Sequence, residues 1–173
     1  MRPLLAGAVL AIVCTVPAAA KGKKYRHPLG FQIELPEKWV AEPSPAGATL
    51  HPPGAKVNPD REDNAEVYWF WAPSAEKSSE NDYVRDLREN LKASNVEVER
   101  GGDLEGFSSP GRPGVIYTFD FTNPADKKDY RIRVFAMQRN GKTLLLIAKG
   151  RRDRVEARDK LLREMAMTLE WKN

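Results

Sequence analysis

The residues with the clearest capacity for recognition chemistry are arginines, which occur in two groups. Arg131 and Arg133 lie two positions apart in an alternating segment, so both lie on one face of an extended strand. The second group surrounds the start of a segment with helical periodicity and comprises Arg151, Arg152, Arg154 and Arg158. Guanidinium groups bind carboxylates and phosphates through paired hydrogen bonds, yet cations oppose the dipole at a helix N-terminus. We favour a solvated face offset by Asp153 and Glu156; the alternative is a surface that binds an anionic partner.

Aromatic residues on both faces of one short strand form the second candidate site. In Glu66–Trp71, Tyr68 and Phe70 lie on one face, while Trp69 and Trp71 lie on the other. These four aromatic side chains could line a groove for a carbohydrate or a peptide, but at strand spacing we favour packing in and around the core. The candidate partner-binding residues are Arg131, Arg133, Arg151, Arg152, Arg154, Trp69 and Trp71.

Metal ligands are scarce in this sequence. A zinc site needs three or four convergent ligands, and the chain has two histidines, His27 and His51. His51 could form a weak site with one of three loop acids, Asp60, Glu62 or Asp63. We favour two solvent-exposed histidines and predict no metal.

Catalytic motifs are not evident either. Ser108 and Ser109 lie in a turn-like segment without the Gly-x-Ser-x-Gly elbow of a nucleophile. Paired acids such as Asp126 and Asp129 are interpreted as solvated loop carboxylates. Gly101-Gly102 is not followed by a helix at phosphate-loop spacing. We predict no catalytic residue and no cofactor.

The composition is typical of one soluble domain. Of 173 residues, 41% are hydrophobic and 30% are charged, and 28 Lys+Arg against 24 Asp+Glu give a net charge of +4. This mild excess of cations does not argue for nucleic-acid binding.

The first residues predict a Sec-type signal peptide over residues 1–20. Arg2 precedes the apolar stretch Leu4–Val16, which is too short for a spanning helix, and small residues follow up to Ala20. Cleavage after Ala20 removes Cys14, the sole cysteine, so the mature chain has no disulfide. Bulky residues before Cys14 make a lipoprotein signal the weaker alternative. The predicted location is periplasmic or secreted.

The rest of the chain divides into a basic, flexible arm over residues 21–29 and a single domain over residues 30–173. Phe31, Ile33 and Leu35 predict an inward-facing strand that ends at Pro36. Residues 42–63 are rich in Pro, Gly and polar residues and predict a surface loop, with a short strand at residues 49–51. Helical spacing then predicts a helix closed by Ser94-Asn95.

An antiparallel meander dominates the second half. Residues 96–99 predict a strand that ends at Gly101-Gly102, and residues 104–114 predict a connection. Three strands follow, near residues 115–122, 130–137 and 144–148, with a hairpin turn at Asn140-Gly141. Asp153 and Glu156 predict a capping box for one closing helix. Segregated strands and helices indicate an α+β fold, a central antiparallel sheet with helices packed on its faces.

The stretch Gly30-Phe31-Gln32-Ile33-Glu34-Leu35-Pro36-Glu37-Lys38-Trp39 resembles the Gly-Phe-x-Ile-x-x-Pro-x-x-Trp opening of the PsbP-like family and its exported bacterial relatives. The order of later elements is similar as well. The resemblance implies a sheet between helices and a non-catalytic accessory or binding role outside the cytoplasm. The arm is shorter than that of the photosynthetic members, so their photosystem role does not carry over.

Three functional hypotheses follow. The first is an exported accessory or binding protein whose partner is an envelope protein or another envelope component. The second is a binder of an anionic polymer or lipid that uses the basic arm and the Arg151–Arg158 cluster. The third is a hydrolase with residues 42–63 as a lid.

Overall fold

The structure is a computed structural model that describes residues 22–54, 67–71, 80–93, 96, 98–109, 112–139 and 142–171. The predicted signal peptide, residues 55–63 of the predicted loop and Asn140-Gly141 lie outside these ranges. No helix within them is long and apolar enough to cross a membrane.

The described segments form strands and helices in the following order. The strands are β1 (Lys23–Arg26), β2 (Phe31–Leu35), β3 (Val40–Ser44), β4 (Gly47–His51), β5 (Val67–Trp71), β6 (Val98–Ser109), β7 (Arg112–Thr122), β8 (Asp129–Arg139), β9 (Lys142–Arg151) and β10 (Glu170–Trp171). The helices are α1 (Glu80–Ala93), between β5 and β6, and α2 (Arg152–Ala157) and α3 (Asp159–Met167), between β9 and β10.

The large sheet is antiparallel, with strand order β3-β4-β5-β9-β8-β7-β6. Its centre is the predicted meander β7–β8–β9, in which Val134 pairs with Tyr117 on one side and Ile147 on the other. Arg139 pairs with Lys142 at the ends of β8 and β9, and the turn predicted between them stays a prediction.

Alternation along the central strands buries both faces of this sheet. On the first face, Ile116, Phe135 and Leu146 pack under a small sheet of order β1-β2-β10 and under α2 and α3. On the second face, Phe119, Val134 and other apolar residues pack against α1. The predicted α+β class, with helices on the faces of an antiparallel sheet, is confirmed.

The predicted flexible arm is wrong for residues 23–27. Lys23–Arg26 form strand β1, which pairs with β2 and places Tyr25 opposite Ile33. Tyr25 packs against the first core and His27 is buried. Lysines are well tolerated on an edge strand, so the basic composition did not distinguish a tail from a strand.

The predicted loop over residues 42–63 is wrong for its first part. Strands β3 and β4 form a hairpin in which Ser44 pairs with Gly47, and residues 40–51 extend the large sheet. Pro43 is accommodated because β3 is an edge strand. On its outer side there is no neighbouring strand to which an N–H would have to donate. Residues 42–51 are therefore part of the sheet and do not form the loop that the hydrolase hypothesis used as a lid.

The predicted connection over residues 104–114 is also wrong, because β6 and β7 run through it as paired strands. Gly101-Gly102 does not end a strand. The register shifts between Val98 and Arg100 and between Gly101 and Asp103, so β6 absorbs the glycines as irregularities of a β-bulge type.

The closing helix is divided in two. Its apolar stripe packs as predicted, since Val155, Leu162 and Met165 are buried in the first core. The capping box is absent, because α2 starts directly after β9 with Arg151 as an N-cap that makes no side-chain hydrogen bond. Asp153 then falls inside the first turn instead of capping it.

The stretch from Pro36 to Trp39 connects the small sheet to the large one. Lys38 adopts a left-handed conformation with φ of 66°, and the Trp39 N–H donates to the Pro36 carbonyl at 3.1 Å. Trp39 is buried and contacts the Tyr68 ring edge-on, with centroids 5.0 Å apart. The tryptophan of the opening motif thus anchors a tight turn to the first core.

We expect Lys38→Val to lower the free energy of unfolding by roughly 1 kcal/mol, because a β-branched side chain is disfavoured at positive φ. Lys38→Gly should not lower it, since glycine adopts this conformation without steric cost. Urea-induced unfolding measures both effects. The matched control is Lys23→Val at an exposed strand position; equal losses for the two valine variants would contradict the left-handed turn.

Candidate functional site

A buried ion pair joins the two central strands β7 and β8. The Arg131 side chain donates two hydrogen bonds to Asp120, from Nε to Oδ1 at 2.6 Å and from one terminal nitrogen to Oδ2 at 2.8 Å. The two side chains are 11% and 7% exposed. Arg131 also binds Glu156 of α2 at 2.8 Å, and Arg152 lies 3.8 Å from Asp120. This group fixes the start of α2 on the first face of the sheet.

A second group of charges fixes α3 on the same face. Arg133 of β8 donates hydrogen bonds to Asp159 and, at 3.3 Å, to Glu105 of β6. Arg163 of α3 donates to Asp159 at 2.8 Å and to Glu105 at 2.7 Å. Two strands and one helix therefore meet at these four side chains.

The eight residues of the two groups are called here the ion-pair network. Its members are Arg131, Arg133, Arg152, Arg163, Asp120, Glu105, Glu156 and Asp159. Four cations face four carboxylates, so the network has no excess of either sign. Buried charges of this kind need such partners, because the cost of removing them from water is several kcal/mol per ion.

Arg131 and Arg133 are therefore not on the solvated face that the sequence predicted. They do lie on one strand face, but both residues are buried at 9% and 8% exposure, and their charges are balanced within the chain. One feature of the sequence was consistent with this pairing: Glu156 and Asp159 are three positions apart on the closing helical segment, so they lie on one side of it. Their contact with β8 depends on the fold and could not be read from spacing.

The four arginines predicted as one cluster have different surroundings. Arg152 takes part in the ion-pair network, and Arg158 lies over the Trp39 ring, 5.9 Å from its centroid. Arg151 is half-buried with Asp153 at 3.9 Å, while Arg154 is exposed. Of these four arginines, Arg154 alone is exposed.

Trp69 is half-buried and packs against the second core, while Tyr68 and Phe70 are fully buried in the first. The predicted distribution of aromatics over both faces is confirmed for these three residues. The side chain of Trp71 lies outside the described part, so its predicted contact with a partner stays a prediction.

Both histidines have partners. The His27 ring stacks on Phe31 at 4.4 Å, its Nε2 lies 2.9 Å from the Ser44 carbonyl, and its Nδ1 accepts from the Leu29 N–H at 3.2 Å. These contacts assign the proton to Nε2 and link the small sheet to the β3–β4 turn. The predicted solvent exposure is therefore wrong for His27.

His51 is half-buried, with Nε2 3.1 Å from Glu42 on the neighbouring strand. Its proposed partners Asp60, Glu62 and Asp63 lie outside the described residues. In the ranges that are described, no three His, Cys, Asp or Glu side chains come together as metal ligands.

The acids of the β7–β8 turn, residues 123–128, are structural. Asp126 accepts hydrogen bonds from the Tyr130 hydroxyl at 2.9 Å and from the Lys128 N–H at 3.2 Å. Burial opposes ionisation of Asp126, but these hydrogen bonds outweigh it and lower its pKa. The Tyr130 pKa is raised, by burial and by the same hydrogen bond. Asp129 accepts from the Thr122 hydroxyl at 3.0 Å.

We expect Asp120→Asn to lower the free energy of unfolding by about 3 kcal/mol, because it removes the buried carboxylate of the pair and leaves Arg131 with the more exposed Glu156 as its acidic partner. A double-mutant cycle that combines Asp120→Asn with Arg131→Met should give a coupling energy between the two residues of roughly 1 to 3 kcal/mol, measured by urea unfolding. The exposed pair Arg85 and Asp86, 3.7 Å apart, is the matched control, with a coupling below about 1 kcal/mol. Similar couplings for the two pairs would refute the buried pair.

Acid should weaken the attachment of α3. The hydrogen bond from Arg163 is the largest cause that lowers the Glu105 pKa, with burial opposing it and the charges of Arg163 and Arg133 adding to it. A depressed folded-state pKa contributes stability above the unfolded value of 4.5, and this contribution is lost as the pH falls through the folded pKa.

We therefore expect Glu105→Gln to reduce the loss of stability between about pH 5 and pH 3, since the variant has no carboxylate to protonate at this position. Urea unfolding of both proteins across this range measures the difference. Glu164→Gln, on an exposed part of α3, controls for the removal of one carboxylate. A Glu105→Gln profile parallel to that of the wild type would show that the contact with Arg163 does not form.

Solved structures share this fold at low sequence identity. Cyanobacterial PsbP (CyanoP) from Synechocystis sp. PCC 6803 aligns with a TM-score of 0.51 at 15% identity, over 91% of this chain and 96% of that chain. The Saccharomyces cerevisiae Ran-binding protein Mog1p aligns with a TM-score of 0.53 at 11% identity, over 88% of this chain and 96% of that chain.

A crystal structure from Bacteroides thetaiotaomicron aligns over 89% of this chain with a TM-score of 0.53 at 16% identity. It covers 50% of that chain, so the present chain spans about half its length. No protein-family model matches the sequence, and no curated protein matches it either. The arrangement of the sheets and helices nevertheless shows that this chain has a PsbP-like fold, as the resemblance of residues 30–39 implied.

Proposed function

We propose that this chain is an exported, non-catalytic binding or accessory protein whose partner is a component of the cell envelope. The observation that carries the proposal is the shared fold, which CyanoP and the Ran-binding protein Mog1p have over nearly their whole length. One of these proteins is named for binding another protein. A function in recognition is therefore the natural expectation for the same arrangement of sheet and helices.

The polar contacts support this proposal. The ion-pair network uses its arginines and carboxylates to attach α2 and α3 to the sheet, and each nitrogen of the His27 ring has a backbone partner. These side chains have structural roles, which leaves recognition to the exposed surface. Leu29 and Val40 are prominent there, at 55% and 61% exposure, and contact with a partner would bury their apolar area.

The position of the predicted cleavage site supports export. Strand β1 begins at Lys23, so cleavage after Ala20 leaves every described strand and helix in the mature chain.

We expect the protein from its own cells to be recovered in the exported fraction with Lys21 as its first residue. Cell fractionation and the intact mass of the purified protein measure the two outcomes. Recovery of the full-length chain from the cytoplasm would contradict export.

The binding role is tested by placing a photo-crosslinking amino acid at Val40 in living cells. A discrete crosslinked envelope component should form there, because the exposed side chain lies on an edge strand that a partner can approach. The control position is Lys160, which is exposed on α3. An identical pattern at both positions, or none at Val40, would contradict a specific partner at β3.

A further inference from the structure

The fold gathers cations from separate parts of the chain at one end of the large sheet. Thr122 pairs with Asp129 across the β7–β8 turn, and Tyr130 pairs with Arg151, the last residue of β9. The turn, the end of β9 and the start of α2 therefore lie together. Strand β6 begins opposite Phe121 at the same end, shortly after α1 ends at Ala93.

We call this surface the basic end and define it by its surface cations, of which Arg151 is half-buried and the others are exposed. They are Lys92, Lys127, Lys128, Lys149, Arg151 and Arg154. Three described carboxylates accompany them outside the ion-pair network, namely Asp126, Asp129 and Asp153. Among the side chains that the structure describes at this end, six cations against three acids leave an excess of three positive charges.

Two of the three acids of the basic end accept hydrogen bonds from neighbouring side chains. Asp126 accepts from the Tyr130 hydroxyl, and Asp129 accepts from Thr122. Neither Lys127 nor Lys149 belongs to an ion pair in the part of the chain that the structure describes. Both lysines are exposed, so an anion outside the chain can approach their ammonium groups.

The β7–β8 turn holds its two lysines in a defined conformation. The Lys127 N–H donates to the Asn123 carbonyl at 2.9 Å, and the Asn123 N–H donates to the Lys128 carbonyl at 2.9 Å. The Asn123 side chain accepts from the Ala125 N–H at 3.0 Å. Lys127 itself has a positive φ of 56°, a conformation that is costly for a residue with a side chain.

From this geometry we infer that the basic end docks on a membrane surface rich in anionic phospholipids. Four of its six cations are lysines, whose compact charge needs no fixed partner geometry, whereas the arginine fork suits carboxylates held in place. The cations extend from α1 on one face of the sheet to α2 on the other. A continuous layer of headgroups meets such a spread surface without requiring a matching shape. The inference deepens the proposed binding function and rests on it.

The experiment measures sedimentation of the protein, as recovered from cells, with vesicles of equal parts phosphatidylglycerol and phosphatidylcholine. The test variant is Lys127→Asn with Lys128→Gln, since asparagine tolerates positive φ and the turn is retained. Affinity should fall roughly thirtyfold, from about 1 kcal/mol for each lysine near an anionic surface. Raising the salt from about 50 to 500 mM should weaken wild-type binding steeply.

The matched control is Lys23→Gln with Lys160→Gln, which removes the same charge from exposed positions elsewhere and should change affinity by less than about threefold. Vesicles of phosphatidylcholine alone measure any contribution of the apolar residues 4–16. Equal losses in the two double variants would overturn the inference, as would binding that salt does not change. Binding to soluble polyglutamate but not to the vesicles would overturn it in favour of an acidic protein. The crosslinking experiment at Val40 tests the proposed binding function independently, so failure of vesicle binding can be distinguished from failure of that function.

Discussion

Burial of the central strands on both faces is the constraint on which the rest of this structure depends. Strands β8 and β9 carry apolar side chains in both directions, so neither face can be left to water. One face receives α1, and the other receives α2, α3 and the small sheet. The contacts on the first face include charges as well, because the buried strand residues Arg131 and Arg133 form ion pairs with the elements packed on it.

Those charges follow from the same constraint. Arg131 and Arg133 occupy strand positions that point to a covered face, where an isolated guanidinium would be very costly. The carboxylates come from β6, β7, α2 and α3, so the pairing fixes where the closing helices lie. Apolar contacts alone would permit α2 and α3 to shift along the sheet, whereas paired charges accept few arrangements.

The sequence predicted those strands and helices in which the spacing of apolar residues itself shows which face is buried. The alternation in residues 115–122 and 130–137 and the helical stripe of α1 each specify a face, and all three are confirmed. Elements specified by their neighbours were missed. Lys23–Arg26 is a strand because β2 lies beside it, and Pro43 is accepted in a strand because no other strand lies beyond it.

The same holds for the candidate sites: local spacing predicted which residues share a face, but not their partners from distant parts of the chain. That Arg131 and Arg133 share a strand face could be predicted, but their acidic partners are as many as 28 residues away. Local spacing could not reveal those partners, and it could not show that His27 reaches the Ser44 carbonyl across two sheets. The excess charge at the end of the large sheet became evident only from the pairing of Tyr130 with Arg151.

The small sheet joins the beginning of the chain to its end. The Gln32 side chain binds Glu170, 138 positions later, and the Glu34 N–H donates to Thr168, 134 positions later. The first core likewise combines residues from Phe31 with residues as late as Leu169. Contacts over such separations form late, since a long stretch of chain must first be ordered. A nascent polypeptide of this design therefore cannot complete its small sheet until β10 has been synthesised.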